Sequence, residues 1–194
     1  MRFYAFAKVL VGIFYAVLFR IRVEGKDNIP NEGGIILCAN HISYHDTVVL
    51  GLISPRQLHF VAKEELWRIK LISKLFTKLG AIPINRQKPG IDTLKQVVNV
   101  LKDGRALAIF LQGGRKKDID VDDAKAGVAL FAIKGKAPVV PINISSSFRI
   151  FSKVDINIGK PITFEEYWDK KIRTQELNEI ASKILREIKA LGAK

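Results

Sequence analysis

The stretch Ile35-Ile36-Leu37-Cys38-Ala39-Asn40-His41-Ile42-Ser43-Tyr44-His45-Asp46, followed by Thr47-Val48-Val49-Leu50, decides how the rest of the chain is read. Its first five residues are an unbroken apolar run of strand length, which predicts a buried strand. The residues after Asp46 begin a helix. A histidine and a carboxylate at a strand-to-helix junction lie at the carboxyl end of a strand, where open α/β sheets hold their ligands. An imidazole that gives one N–H to a fixed carboxylate keeps its other nitrogen free as a base near neutral pH. His41 is therefore expected as the general base and Asp46 as the group that orients it. A plainer reading competes. Ser43-Tyr44-His45-Asp46 also fits the S/T-x-x-D/E capping box, in which Asp46 would only close the first helical turn.

Outward from this stretch, strand-like and helix-like segments alternate. Ile21–Glu24 predicts a short strand, and Asn28-Ile29-Pro30-Asn31-Glu32-Gly33-Gly34 is turn chemistry. A helix is expected from about Ser43 to Ile53, a strand at Leu58–Ala62 and an amphipathic helix over Leu66–Leu79. In that helix Lys70, Lys74 and Lys78 fall on one face, while Leu71, Ile72, Leu75, Phe76 and Leu79 gather on the other. Ala81–Ile84 is short and extended. Then come a helix at Ile91–Lys102, a strand at Ala106–Leu111, a helix at Ala124–Lys134 and a strand at Val139–Ile144. Val154–Ile158 is expected as an edge strand and Gln175–Leu191 as a closing amphipathic helix. Strands alternating with helices of this length predict an α/β/α layered fold with a largely parallel sheet flanked by helices.

With 194 residues, the chain suits one domain with a substantial core, plus a short appendage. A single cysteine excludes an internal disulfide and fits a reducing compartment. Cys38 lies inside an apolar run, which makes it a small buried hydrophobe rather than a nucleophile. The formal net charge is +13, and an excess of this size points to an anionic partner. Eight basic residues against two acidic ones fall between Arg56 and Lys88. No aromatic–basic RNA-binding pattern or other nucleic-acid motif accompanies them, so no nucleic-acid partner is expected. A metal site built on His41, His45 and Asp46 is conceivable, but no second ligand cluster appears and no metal is expected.

Phe3–Phe19 is apolar except for Lys8. At helical rise these residues span about 26 Å, short of a typical hydrocarbon core. With Lys8 in the middle, a helix lying in the membrane interface fits better than a spanning one. A signal peptide is disfavoured because no small-residue cleavage site follows. Residues 1–20 are accordingly expected to form a membrane-associating helix, and residues 21–194 the catalytic domain. The alternative is an N-terminal helix packed on the domain.

Three further segments complete an ordered set with the His41 motif: Gly80-Ala81-Ile82-Pro83-Ile84-Asn85-Arg86, Phe110-Leu111-Gln112-Gly113-Gly114-Arg115 and Val140-Pro141-Ile142. This set resembles the glycerolipid acyltransferase family that makes phosphatidic acid from lysophosphatidic acid. That family carries N-H-x-x-x-x-D, G-x-x-x-x-x-R, F-P-E-G-T-R and V-P-[IV] in the same order. The likeness covers about Ile35 to Ile144. It implies direct acyl transfer from a thioester to a free hydroxyl, with no acyl-enzyme. His41 would take the hydroxyl proton and Asp46 would hold its tautomer and stabilise the imidazolium.

In the same resemblance Arg86 and Arg115 match the phosphate-binding positions, a task for which the planar guanidinium fork is suited. Lys63 is a third candidate for the phosphate. Gly113 and Gly114 would let the backbone approach a ligand and offer N–H groups. Lys116 and Lys117 extend the positive patch. The third motif departs from the family, with Leu111 for Pro, Gln112 for Glu and Gly114 for Thr. Gln112 can hydrogen-bond a glycerol hydroxyl but brings no charge, which leaves the acceptor open between lysophosphatidic acid and another lysophospholipid or amino-lipid. Gln112→Glu is therefore expected to change acceptor affinity more than His41→Ala does. The expected partners are an anionic membrane surface at its cytoplasmic face, an acyl-CoA or acyl carrier protein donor, and a lysophospholipid acceptor. No cofactor is expected. A basic membrane-binding module without catalysis is the alternative from another class.

Overall fold

The computed structural model describes residues 2–85, 90–112, 114–116, 118–120 and 124–193. Within them, strands β1 (Arg20–Glu24), β2 (Ile35–Ala39), β3 (Leu58–Lys63), β4 (Ile82–Ile84), β5 (Ala106–Phe110), β6 (Val139–Ser146) and β7 (Lys153–Ile158) form one sheet. Its order is β1-β7-β6-β2-β5-β3-β4. The helices are α1 (Arg2–Leu18), α2 (His45–Ile53), α3 (Lys70–Leu79), α4 (Ile91–Lys102), α5 (Gly127–Gly135) and α6 (Thr174–Gly192). The β6–β7 pair is antiparallel and the other pairs are parallel.

Every residue of β2 is buried, because β5 and β6 flank it and helices cover both faces. The strand's apolar run is used on both sides, as parallel sheets require. Ile36 and Cys38 face a core shared with Val97 and Leu101 of α4, Phe131 of α5 and Ile184 of α6. Ile35, Leu37 and Ala39 face the other core, with Val49 and Leu50 of α2 and with Tyr15 and Phe19 at the end of α1. Leu37 is fully buried, and Leu37→Ala would cost about 2–5 kcal/mol as a cavity. Just before β2, a Cβ on Gly34 would sit 2.1 Å from the Leu101 carbonyl oxygen, so the turn admits no side chain there.

Two sequence expectations shift. The helix expected over Leu66–Leu79 is interrupted: Glu64–Arg68 is a 3₁₀ turn, Ile69 is extended, and α3 starts at Lys70. Apolar periodicity spans such a break because a 3₁₀ turn and an α-turn present nearly the same face. The α3 helix ends at Gly80 with φ +78°, where the Ala81 N–H reaches the Phe76 carbonyl at 2.9 Å, a glycine stop of the left-handed kind. The strand expected at the sheet edge, β7, is internal, because β1 pairs along its outer side. The thiol of Cys38 is fully buried, and burial pushes its pKa up, consistent with an inert core residue.

The α1 helix is half packed. Tyr15 is buried, the Tyr4 hydroxyl accepts the Leu58 N–H at 3.3 Å, and Lys8 Nζ donates to the Ser54 carbonyl. Its other face, including Phe6, Leu10 and Phe14, is exposed. Among the described residues no helix is long and apolar enough to cross a membrane.

Candidate active site

The carboxyl ends of β2, β5, β3 and β4 point to one edge of the sheet, since these strands run parallel. The chain leaving β2 is locked there by Asn40, which is buried. Its Nδ2 donates to the Ile144 carbonyl at 2.9 Å and its Oδ1 accepts the Ile144 N–H at 2.7 Å. Asn40 thus pairs with β6 as a backbone unit would, and the next residue, His41, begins the loop in a fixed position.

His41 Nδ1 lies 2.8 Å from Asp46 Oδ2. The same oxygen accepts the N–H groups of Ile42 and Ser43, each at 2.7 Å. With a carboxylate as its partner, Nδ1 carries the proton, so Nε2 presents a lone pair. Asp46 is 0% exposed and the His41 side chain 13%, which leaves the imidazole open along one side. Its ring stacks on Phe110 at the end of β5, with centroids 4.0 Å apart and planes 14° from parallel. Stacking and hydrogen bond together fix both ring torsions. The competing readings of Asp46 prove compatible. The carboxylate caps the turn through the Ser43 N–H while it orients His41, and Ser43 Oγ accepts the His45 N–H at 3.3 Å.

The segment after β5 folds over this loop. The Lys116 N–H donates to the His41 carbonyl at 2.8 Å. Gln112 is buried and its amide is engaged at both ends: Oε1 accepts the His41 N–H at 3.1 Å and Nε2 donates to the Asp118 carbonyl at 2.9 Å. The residue that the sequence offers as a contact for a glycerol hydroxyl therefore bridges the His41 backbone to the following loop. Arg115 is exposed and its guanidinium lies 3.5 Å over the Tyr44 ring, so a cation–π contact holds it beside the His41 loop. Gly114 is half-buried, and a Cβ there would meet nothing within 4 Å. Open space, not crowding by the protein, surrounds that position.

Lys63 is exposed at the carboxyl end of β3, two strands from β2 and hence about 10 Å across the sheet. Arg86 and Gly113 lie outside the described residues, as does Lys117. On the β6 side, the His41 loop borders a groove of about 720 Å³ whose lining includes Asn40, Ile42, Ser43, Ser145 and Phe148.

The other two histidines have separate partners. His45 Nδ1 lies 2.7 Å from the Tyr15 hydroxyl, and the ring stacks on Phe148 with centroids 5.1 Å apart. Burial and the nearby Asp46 charge push the Tyr15 hydroxyl pKa up, which keeps it protonated and neutral beside His45. His59 bonds the Gly80 carbonyl at 2.8 Å. Burial holds its pKa below the usual imidazole range, opposed in part by that bond. Among the described residues no three His, Cys, Asp or Glu side chains gather into a metal-holding group.

Sequence reasoning did not assign roles to Asn40, Phe110 or Tyr44. The first is part of the quoted motif and the second opens the third motif. Their tasks, a backbone-like pairing and a ring stack, depend on contacts between strands far apart in sequence.

Comparison with known proteins points to one family. A family model described as Acyltransferase matches residues 20–145. The 1-acyl-sn-glycerol-3-phosphate acyltransferase of Bacillus subtilis is 32% identical over 165 residues, which cover 82% of each chain. The protein of the same description from Streptococcus pneumoniae is 29% identical over 198 residues, 97% of this chain and 73% of its own. Among solved structures, the 1-acyl-sn-glycerophosphate (LPA) acyltransferase PlsC of Thermotoga maritima superposes with a TM-score of 0.70. That match covers 90% of this chain and 73% of the other at 24% identity, a likeness of fold.

Proposed function

Because the chain belongs to the acyltransferase family, we propose that it transfers a fatty acyl group from a thioester to the free hydroxyl of 1-acylglycerol 3-phosphate, giving phosphatidic acid. The observation that carries this reading is the His41–Asp46 pair, 2.8 Å apart and with no partner on Nε2 among the described residues, on the same sheet edge as Arg115 and Lys63. The acceptor hydroxyl gives its proton to His41 Nε2 as its oxygen bonds to the thioester carbonyl carbon. The tetrahedral intermediate then collapses, the C–S bond breaks, and the imidazolium returns the proton to the departing thiolate. Asp46 holds the Nδ1–H tautomer and balances the imidazolium charge. Arg115 and Lys63, with Arg86 following β4, hold the acceptor phosphate. The donor is acyl-CoA or an acylated carrier protein.

In this reading residues 1–20 dock on the cytoplasmic face of a membrane and residues 21–194 carry out the chemistry. The exposed apolar face of α1 and the lysines of α3 support docking on an anionic bilayer, and Lys78 already lies 5.3 Å from the Phe3 ring centroid.

Acyl transfer by the purified protein in mixed micelles tests the reading. Lysophosphatidic acid and lysophosphatidylcholine are offered, each with both donors. Transfer to lysophosphatidic acid should fall by about a thousandfold in His41→Ala. Transfer to another acceptor alone would replace the substrate, and no transfer from folded wild type would leave a binding-only protein.

A further inference from the structure

The turn between β6 and β7 presents two adjacent large apolar side chains to solvent, with Ile150 68% and Phe151 64% exposed. Phe151 also holds φ +64°, the left-handed region in which a bulky side chain is strained. Nearby Phe148 has φ +49°, but its ring packs on Phe19 and His45, so contacts account for it. No such packing accounts for Phe151 among the described residues. Strain at an exposed aromatic points to a use outside the folded chain.

The position of the turn says what that use is. The Phe151 N–H donates to the Leu18 carbonyl at the end of α1 at 2.6 Å, and the Arg20 N–H to the Ser152 carbonyl at 3.0 Å. The turn is therefore joined to α1, whose outward stripe of Phe6, Val9, Leu10, Ile13, Phe14 and Val17 is 59–68% exposed. Between Ser145 and Val154 the chain carries Arg149 and Lys153, both exposed, and no acid. Apolar tip residues between cations match a bilayer interface bearing anionic headgroups.

We propose that the β6–β7 turn is a second membrane contact, seated beside α1 on an anionic bilayer with Ile150 and Phe151 in the acyl boundary and Arg149 and Lys153 among the headgroups. The proposal rests on the docking of α1 proposed above. It adds an anchor on the catalytic domain itself. Phe148 of the same turn stacks on His45, four residues from His41, so the turn would hold the catalytic edge close to the lipid.

The buried Cys38 makes the test simple, because a thiol reagent reads a newly introduced exposed cysteine against an unreactive background. Full-length Ile150→Cys, Phe6→Cys on α1 and Glu187→Cys on the exposed face of α6 each carry a fluorescent label. Each is mixed with phosphatidylcholine vesicles, with or without phosphatidylglycerol, containing chain-brominated lipid. Quenching at positions 150 and 6 but not 187, stronger with phosphatidylglycerol, is expected. Quenching at 6 alone overturns the second contact and leaves α1 docking intact; quenching at neither overturns both. A blue shift at 150 without lipid that grows with protein concentration assigns the turn to a second copy instead, and overturns the proposal.

Phe151→Asn separates membrane contact from structure. Asparagine tolerates positive φ, so the melting temperature should hold or rise. The vesicle dissociation constant should increase about tenfold as the aromatic burial is lost. A lower melting temperature with unchanged vesicle affinity would make Phe151 a structural residue and end the proposal.

Discussion

His41 and His45 stand four residues apart and are built alike, yet their surroundings differ in one respect that matters. Each has Nδ1 held by an oxygen within 2.8 Å and one face stacked on a phenylalanine. Around His41 the oxygen belongs to a buried carboxylate, fixed by two backbone N–H groups at the edge where open α/β sheets hold their ligands. Around His45 it belongs to a phenol, in an aromatic cluster of Tyr15, Phe19 and Phe148 that fastens α1 to the domain. An anionic partner stabilises a positive imidazole as it forms; a neutral hydroxyl occupies the nitrogen and adds no charge. The same residue type thus stands beside a buried carboxylate in one region, as the proposed base requires, and in a structural joint in the other.

The largest effect should separate the two directly. His41→Ala removes the proposed proton acceptor and should lower kcat by about a thousandfold. His45→Phe keeps the ring on Phe148, and its effect should stay within that of a positional disturbance, about a hundredfold at most. Equal losses in steady-state assays would mean that the aromatic cluster is part of the chemistry.

Asp46→Asn sharpens the comparison because it removes charge and spares shape. The amide oxygen can take the place of Oδ2 on its three donors, leaving the NH₂ where Oδ1 sits, an atom without a hydrogen-bond partner among the described residues. The turnover should fall about a hundredfold, the scale of one missing electrostatic contact in a transition state. The protein should also lose about 1–3 kcal/mol of stability from the unpaired amide, readable by denaturant unfolding. A variant with wild-type turnover would remove the carboxylate from the mechanism.

Gln112→Glu probes the support of His41 from the other side. A carboxylate can accept the His41 N–H but cannot donate to the Asp118 carbonyl, so two oxygens would face each other. The expected result is a decrease of about tenfold in kcat with a smaller change in acceptor KM, since about 1.4 kcal/mol of misplacement corresponds to that factor. This reverses the expectation from sequence alone, which assigns the change to acceptor affinity. A shift confined to KM would restore the direct acceptor contact.

The two hydrogen bonds of the Gln112 amide show where sequence stops being sufficient. The buried run of β2, the alternation of strands and helices and the His41–Asp46 spacing are local patterns, and local patterns carry the layered fold and the pairing of His41 with Asp46. The interruption at Ile69 is hidden because it leaves the apolar face continuous. The internal position of β7 is hidden because the strand that covers it, β1, lies more than 120 residues earlier. The same limit applies to Phe110 under His41 and to both ends of the Gln112 amide. A side chain's chemistry can be read from its name, but which of its atoms are already occupied depends on residues brought together by folding.

The smallest effect is the most exacting test of the opening comparison. Tyr15→Phe deletes the hydroxyl on His45 and nothing that touches Asp46 or His41. Stability should fall by about 1 kcal/mol, the usual net worth of one hydrogen bond. Turnover in micelles should remain close to wild type, because the Asp46 oxygen that orients His41 takes its three hydrogen bonds from His41, Ile42 and Ser43, none from the aromatic cluster. A turnover loss comparable to that of Asp46→Asn would show that the joint of α1 is coupled to the position of the base, and that seating this helix on a membrane regulates the reaction as well as locating it.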